Sequence, residues 1–193
     1  MADRYANFAE LSAHEVEGTE YMIESQNRGR GFVIVGIHGG RIEPVTAEIV
    51  RAIAGEDLSY YVFSGHRAEL HITSTHFDEP QCLQLVEQSV TVITIHGKEG
   101  AEKFVMLGGL DRDLVVRAGD ALADVGFELV HASSNVPGDE IENICNKGTS
   151  GKGLQIEVSR GLRDLLYRDT TRMHAFADAV RGVARNVPGD SAA

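Results

Sequence analysis

Two apolar runs in this 193-residue chain end in the same way, in a histidine followed by glycine. The first is Phe32-Val33-Ile34-Val35-Gly36-Ile37, which delivers His38-Gly39-Gly40. The second is Val90-Thr91-Val92-Ile93-Thr94-Ile95, which delivers His96-Gly97. Short runs rich in β-branched residues predict strands, and strands apolar on both faces must be covered on both faces. Sheets of that kind take their ligands beyond the carboxyl ends of the strands. Both imidazoles are expected there.

The rest of the chain supplies the covering layers. Helical spacing is predicted over 8–14, over 45–54 after Pro44 (Val45, Ile49, Val50, Ile53, then Gly55), and from Glu79-Pro80 through Leu83, Leu85 and Val86. It recurs over 111–125 before Gly126, and over 172–185, where Met173, Phe176, Ala177 and Val180 share a face. Further extended segments are predicted at 20–25, 60–64, 69–73, 103–107, 127–131 and 154–158, with a polar loop over 132–153. The expected fold class is α/β: one three-layer domain over 1–193, with a mixed, mostly parallel β-sheet flanked by helices. Its core would run over 3–187, leaving 188–193 as a flexible tail.

Composition narrows the function. A hydrophobic share of 42% and a charged share of 24% are those of an ordinary globular protein. A net charge of -11 argues against nonspecific nucleic-acid binding. No apolar run approaches the roughly 18 residues of a membrane span, and the start lacks a signal-peptide pattern, so a cytoplasmic protein, or one released by lysis, is expected. Cys82 and Cys145 form neither a disulfide framework nor a zinc-finger spacing and are read as unpaired thiols.

Several residues then stand out as chemistry. His38 and His96, with Glu43 five residues after the first, supply the three protein ligands that a catalytic zinc requires, the fourth position being left to water. Gly39-Gly40 permits a sharp bend, and Pro44 holds Glu43 in the extended approach to the helix. Taken singly, each has a plainer reading: a hydrogen-bonded rim or core histidine, or a helix-start acid. Glu157 lies between Ile156 and Val158, where burial would raise its pKa towards that of a general base, unless it faces water from an edge strand. The polar cluster His71–Pro80 holds His76 as a metal ligand, substrate contact or oxyanion donor, and Asp78 as a helix cap. The glycine-rich stretch 147–153 lacks P-loop spacing, and no G-x-S-x-G elbow exists to pair with His38-Gly39-Gly40.

His38-Gly39-Gly40-Arg41-Ile42-Glu43-Pro44, the LHITSTHFDEP stretch over 70–80, Ile95-His96-Gly97, Asn143-Ile144-Cys145-Asn146 and Gly153–Ser159 together resemble the phage poly-γ-glutamate hydrolase family. The resemblance spans roughly residues 30 to 163. It implies a compact zinc carboxypeptidase-like fold, Zn2+ held by His38, Glu43 and His96, and Glu157 as the general base. With it come γ-linked polyglutamate or another acidic peptide-like substrate, and His76, Asn146 and Arg160 as substrate contacts. The implied reaction is hydrolysis of γ-glutamyl amide bonds by zinc-activated water. A polyanionic substrate on an acidic protein calls for local cations, for which Arg160 and Arg163, directly after the Glu157 strand, are the better placed. Two rivals use the same ligands: a carboxypeptidase or N-acyl amino acid deacylase, and a non-catalytic metal- or anion-binding module.

Overall fold

The computed structural model describes residues 3–29, 31–131 and 136–185. Seven strands form one sheet: β1 (Tyr21–Gln26), β2 (Phe32–Gly40), β3 (Ser59–Gly65), β4 (Thr91–Lys98), β5 (Phe104–Gly108), β6 (Glu128–Leu129) and β7 (Leu154–Ser159). Their order is β1-β3-β2-β4-β7-β5-β6. β3, β2, β4 and β7 run parallel through the centre, while β1 is antiparallel to β3 and β5 antiparallel to β7. The mixed, mostly parallel sheet is as expected.

Alternation along the strands feeds two cores. Phe32, Ile34, Ile93, Ile95, Leu154, Ile156 and Val158 pack with α2 (Thr46–Ala54), α4 (Arg112–Asp124), α5 (Arg160–Arg168) and α6 (Thr170–Arg185). Val33, Val35, Ile37 and Val92 point the other way, against α1 (Phe8–His14) and α3 (Pro80–Glu87). Side chains of the central strands are sealed on both faces, so their polar groups must emerge at strand ends.

Four local expectations change. The segment predicted as a strand over 69–73 is a 3-10 turn, Ala68–Leu70, followed by irregular chain, because the Leu70 and Ile72 side chains are both drawn into the α1/α3 core. The strand predicted over 127–131 shortens to Glu128–Leu129 at the sheet edge. Asp78 does not cap α3: Glu79 does, accepting from the N–H groups of Gln81 and Cys82, while Asp78 accepts from the N–H of Phe8. Directly after β7 comes α5, which the sequence reading left unassigned. The tail expected over 188–193 lies outside the described residues. No described helix is long and apolar enough to cross a membrane.

Candidate metal centre

β2 contains a register shift against β3 between Gly36 and Gly39, the mark of a bulge. Strict alternation would send His38 to the face opposite Ile37. The bulge keeps it on the same side, where Nε2 meets the carbonyl of Ile72 at 2.9 Å. That carbonyl is an acceptor, so Nε2 carries the hydrogen and Nδ1 turns towards Glu43 and His96. Gly40 then adopts φ 70, and an added Cβ there would strike the backbone of Gly65. Backbone turns back through a bond from the Glu43 N–H to the His38 carbonyl, 2.8 Å.

The ligand-bearing atoms converge. His38 Nδ1 lies 3.1 Å from Glu43 Oε1 and 3.1 Å from His96 Nδ1, and His96 Nδ1 lies 3.7 Å from Glu43 Oε2. His38 and His96 are 2% and 3% exposed. Glu43 is fixed further by the N–H of Gly97, which donates to Oε2 at 2.7 Å. Between Glu43 and α2, Val45 takes a left-handed φ of 79, a conformation that costs a β-branched residue on the order of 1–3 kcal/mol. That strain sits at the corner that aims Glu43.

Electrostatics of the cluster are set by crowding. Burial pushes the Glu43 carboxyl up, but the charge and hydrogen bond of His38 outweigh it and hold Glu43 down at about 2. Burial also opposes a charge on His38, yet Glu43 beside it raises the imidazole overall. His96, with burial and then His38 and His71 acting against its charge, is driven down to about 3 despite Glu43. Two imidazole nitrogens and a carboxylate thus face one point. Such a donor set fits a divalent cation: neutral nitrogens and an ionised carboxylate at mutual distances close to the edges of a zinc tetrahedron.

A third imidazole stands beside this cluster. His71 stacks on His38 with ring centroids 4.1 Å apart, and its Nδ1 meets Asp3 Oδ1 at 2.7 Å. Ligand atoms of His38, Glu43 and His71 fall within 4.8 Å of one another, close enough for this trio to hold a metal ion. The His38–Glu43–His96 trio is the more buried of the two, with contacts of 3.1 to 3.7 Å. In the sequence His71 is one member of the polar cluster with no assigned role, and the Asp3 partner carries no sequence signal, since 68 residues separate the two.

Glu157 sits across from His96 in the parallel β4–β7 register, on the same face. Its carboxylate accepts from Gln155 Nε2 at 2.7 Å, and Gln155 Oε1 accepts in turn from Asn143 Nδ2 at 3.0 Å. This amide chain fixes the carboxylate. Burial, and then Glu43, raise the Glu157 pKa in spite of the Gln155 bond and Lys98. Alternation along the strand places Gln155, two residues before Glu157, on the same face.

The expected substrate contacts fare unevenly. His76 is exposed at the end of a turn closed by its N–H to the Thr73 carbonyl, near Ser74, whose Oγ is 3.5 Å from His96 Nε2. Asn146 is 4% exposed, and its amide is committed to backbone: it accepts from Leu110 and Gly153 and donates to the carbonyls of Gly138 and Glu140. It holds the loop, and the asparagine tied to Glu157 is Asn143. Arg160 is exposed on α5 and paired with Asp164 one turn on, 2.9 Å. Arg163 is 1% exposed, which removes it from any substrate.

Cavities flank the cluster on two sides. One, of about 380 Å³, is lined by Asp3, Arg4, Ile42, Glu43, His71 and Gly97 among others. Another, of about 400 Å³, is lined by Thr73, Ser74, Thr75, Asn143 and Gln155 among others. An apolar cavity between α4 and the β5–β6 edge lies on the other face of the sheet.

Known proteins share this sequence and this fold. The family model for poly-gamma-glutamate hydrolase matches residues 5–181. The chain belongs to that family. A bacteriophage poly-gamma-glutamate hydrolase structure superposes with a TM-score of 0.90 at 27% identity, covering 94% of this chain and 96% of that one. A structure of zinc-free apo YndL gives 0.89 at 32% identity, covering 96% and 98%. Among curated relatives, the SPbeta prophage-derived UPF0714 protein YoqZ of Bacillus subtilis (strain 168) is 38% identical over 176 residues. That match takes in 88% of this chain and 64% of YoqZ, so the chain spans under two thirds of that relative's length.

Proposed function

We propose that this protein is a zinc-dependent amide hydrolase that cleaves γ-linked polyglutamate, with His38, Glu43 and His96 holding the metal and Glu157 acting as general base. The observation that carries the reading is the convergence of His38 Nδ1, His96 Nδ1 and Glu43 on one point, at separations of 3.1 to 3.7 Å. Support comes from the zinc-free designation of the YndL structure and from the family. Bound there, zinc supplies Lewis-acid polarisation of a carbonyl and acidifies water.

This chain's own residues do the rest. The Ile72 carbonyl fixes the His38 tautomer, and the Gly97 N–H fixes Glu43, so neither ligand reorganises as the site is filled. Glu157, one strand from His96 and held by Gln155, takes the proton from the attacking water and returns it to the departing amine. Its raised pKa brings the carboxylate closer to the working pH of such a base. Arg4, on the wall of the cleft beside Glu43, and Lys98, whose charge acts on Glu157, are cations placed to meet substrate carboxylates. His76 on its exposed turn and Arg160 on the first turn of α5 are secondary candidates for the same task.

The test joins metal analysis to a substrate panel. The purified protein should hold about one zinc per chain and release amines from γ-linked polyglutamate faster than from α-linked polyglutamate or small N-acyl amino acids. Preferential turnover of the small substrates would replace the polymer reading. Metal binding without turnover on any of them would leave a non-catalytic module.

A further inference from the structure

Arg163 is the largest fully buried side chain among the described residues, and its guanidinium donates to backbone carbonyls from three separate segments. Nη1 reaches Pro44 O at 2.6 Å, Nε reaches Val158 O at 3.1 Å, and Nη2 reaches Lys98 O at 3.5 Å. Pro44 follows Glu43, Val158 follows Glu157, and Lys98 stands two residues after His96. The fork therefore ties together the ends of the three strand–loop segments that carry the cluster. The packing above it is equally tight: a Cβ built on Gly97 would lie 2.7 Å from Arg163 Cζ and 2.9 Å from Glu43 Cβ. Gly97 is the residue whose N–H holds Glu43.

Other arginines in this fold also bind carbonyls. Arg172 donates to Val125 and Gly126, and Arg181 to Ala52 and Ile53. Each of those clamps a single helix end. Arg163 alone among these three bridges segments from different strands, and its planar fork offers donors in fixed directions that an ammonium does not. We propose that Arg163 is a positioning residue that sets the spacing of His38, Glu43, His96 and Glu157, and through it the affinity and geometry of the metal centre. The proposal rests on the reading of that cluster as the metal site.

The experiment compares Arg163→Met and Arg163→Lys with Arg172→Met as a structural control, each checked for a native circular dichroism spectrum. Zinc affinity is measured by chelator competition, and ligand geometry by the visible absorption of the cobalt-loaded protein. Arg163→Met should weaken zinc about 10-fold or more, the scale of lost support around metal ligands, and should alter the cobalt bands. Arg163→Lys should recover part of the affinity, and Arg172→Met should lower the melting temperature while leaving both metal readouts unchanged. Should Arg163→Met not fold, Arg163→Lys carries the test, with weaker zinc and shifted bands still expected. A folded Arg163 variant with wild-type zinc affinity and wild-type cobalt bands overturns the proposal. In the metal-free protein, the imidazole NMR signals of His38 and His96 should move in Arg163→Lys. A wild-type protein that binds no zinc would sink the metal reading, and unmoved imidazole signals would sink the positioning role independently.

Discussion

Replacing Glu157 by Gln changes one oxygen to an amide nitrogen and leaves the surroundings intact. Gln155 Nε2 now donates to Glu157 Oε1 at 2.7 Å, and a glutamine Oε1 accepts the same bond. The side chain keeps its place but can no longer take a proton from water. General-base catalysis is worth about 10² to 10⁴ in rate, so kcat should fall by that factor, a barrier increase of about 3–5 kcal/mol. Zinc content should stay at the wild-type level, because the His38, Glu43 and His96 contacts do not involve Glu157. Stability should move the other way. Burial raises the Glu157 pKa, so its contribution to folding is complete below the ordinary glutamate range and is lost as pH rises through the raised value. A glutamine, neutral at every pH, escapes that loss, and Glu157→Gln should melt at or above the wild-type temperature at pH 7. Steady-state amine release on γ-linked polyglutamate, metal analysis and thermal melts read all three. Turnover within tenfold of wild type with zinc retained would refute the base assignment, and loss of zinc would make Glu157 a ligand.

Glu43→Gln and His38→Ala should each lose zinc and activity together, unlike Glu157→Gln. In chelator-treated protein, Glu43, lowered from 4.5 to about 2, contributes stability that is present above pH 4.5 and lost as pH falls through 2, on the order of 3 kcal/mol; urea unfolding across that window should show the loss in wild type and a flatter profile in Glu43→Gln. Cys82 and Cys145 are buried thiols, Cys145 pushed up to about 12 by burial and Cys82 well above its usual value, so thiol reagent should react slowly with the native protein and promptly with two thiols after denaturation. Gly36→Ala would place a Cβ 2.8 Å from Val50 Cγ2, in the core between β2 and α2, and should cost about 1–3 kcal/mol in denaturant unfolding.

The fold was legible where hydrophobic period was strong. Strands β2 and β4 and the helix ending at Gly55 declared themselves because each repeats one period over several residues. The 69–73 segment misled because its alternation of Leu70 and Ile72 with polar residues copies a strand. With no neighbouring strand to pair with, those two side chains instead anchor an irregular loop in the α1/α3 core. The α5 helix was obscured by its arginines. Arg160 and Arg163 read as cations for an anionic substrate, although Leu162, Leu166 and Arg163 itself are buried.

At the site, the convergence of His38, Glu43 and His96, the proposed ligands, was legible because strand ends in a covered sheet are where buried polar groups emerge. What the sequence withheld is the reason those ligands meet. A histidine one position beyond Ile37 belongs on the opposite face by alternation, and only the bulge between Gly36 and Gly39 returns His38 to the side of His96. A bulge is a property of pairing between two strands, so nothing in β2 read alone reveals it. The same holds for Arg163: residue type marks it as a cation for an anionic substrate, while three carbonyls, from Pro44 after β2, Lys98 at the end of β4 and Val158 near the end of β7, convert it into internal scaffolding. Asn143 and Asn146 divide in the same manner. They sit three apart in one motif, yet the 3-10 turn at Ile144–Asn146 turns one towards Gln155 and the other into the Gly138–Glu140 loop. Residue type limits what a side chain can do, but in each case the segment packed against it decides whether its hydrogen bonds serve the reaction or the frame that holds it.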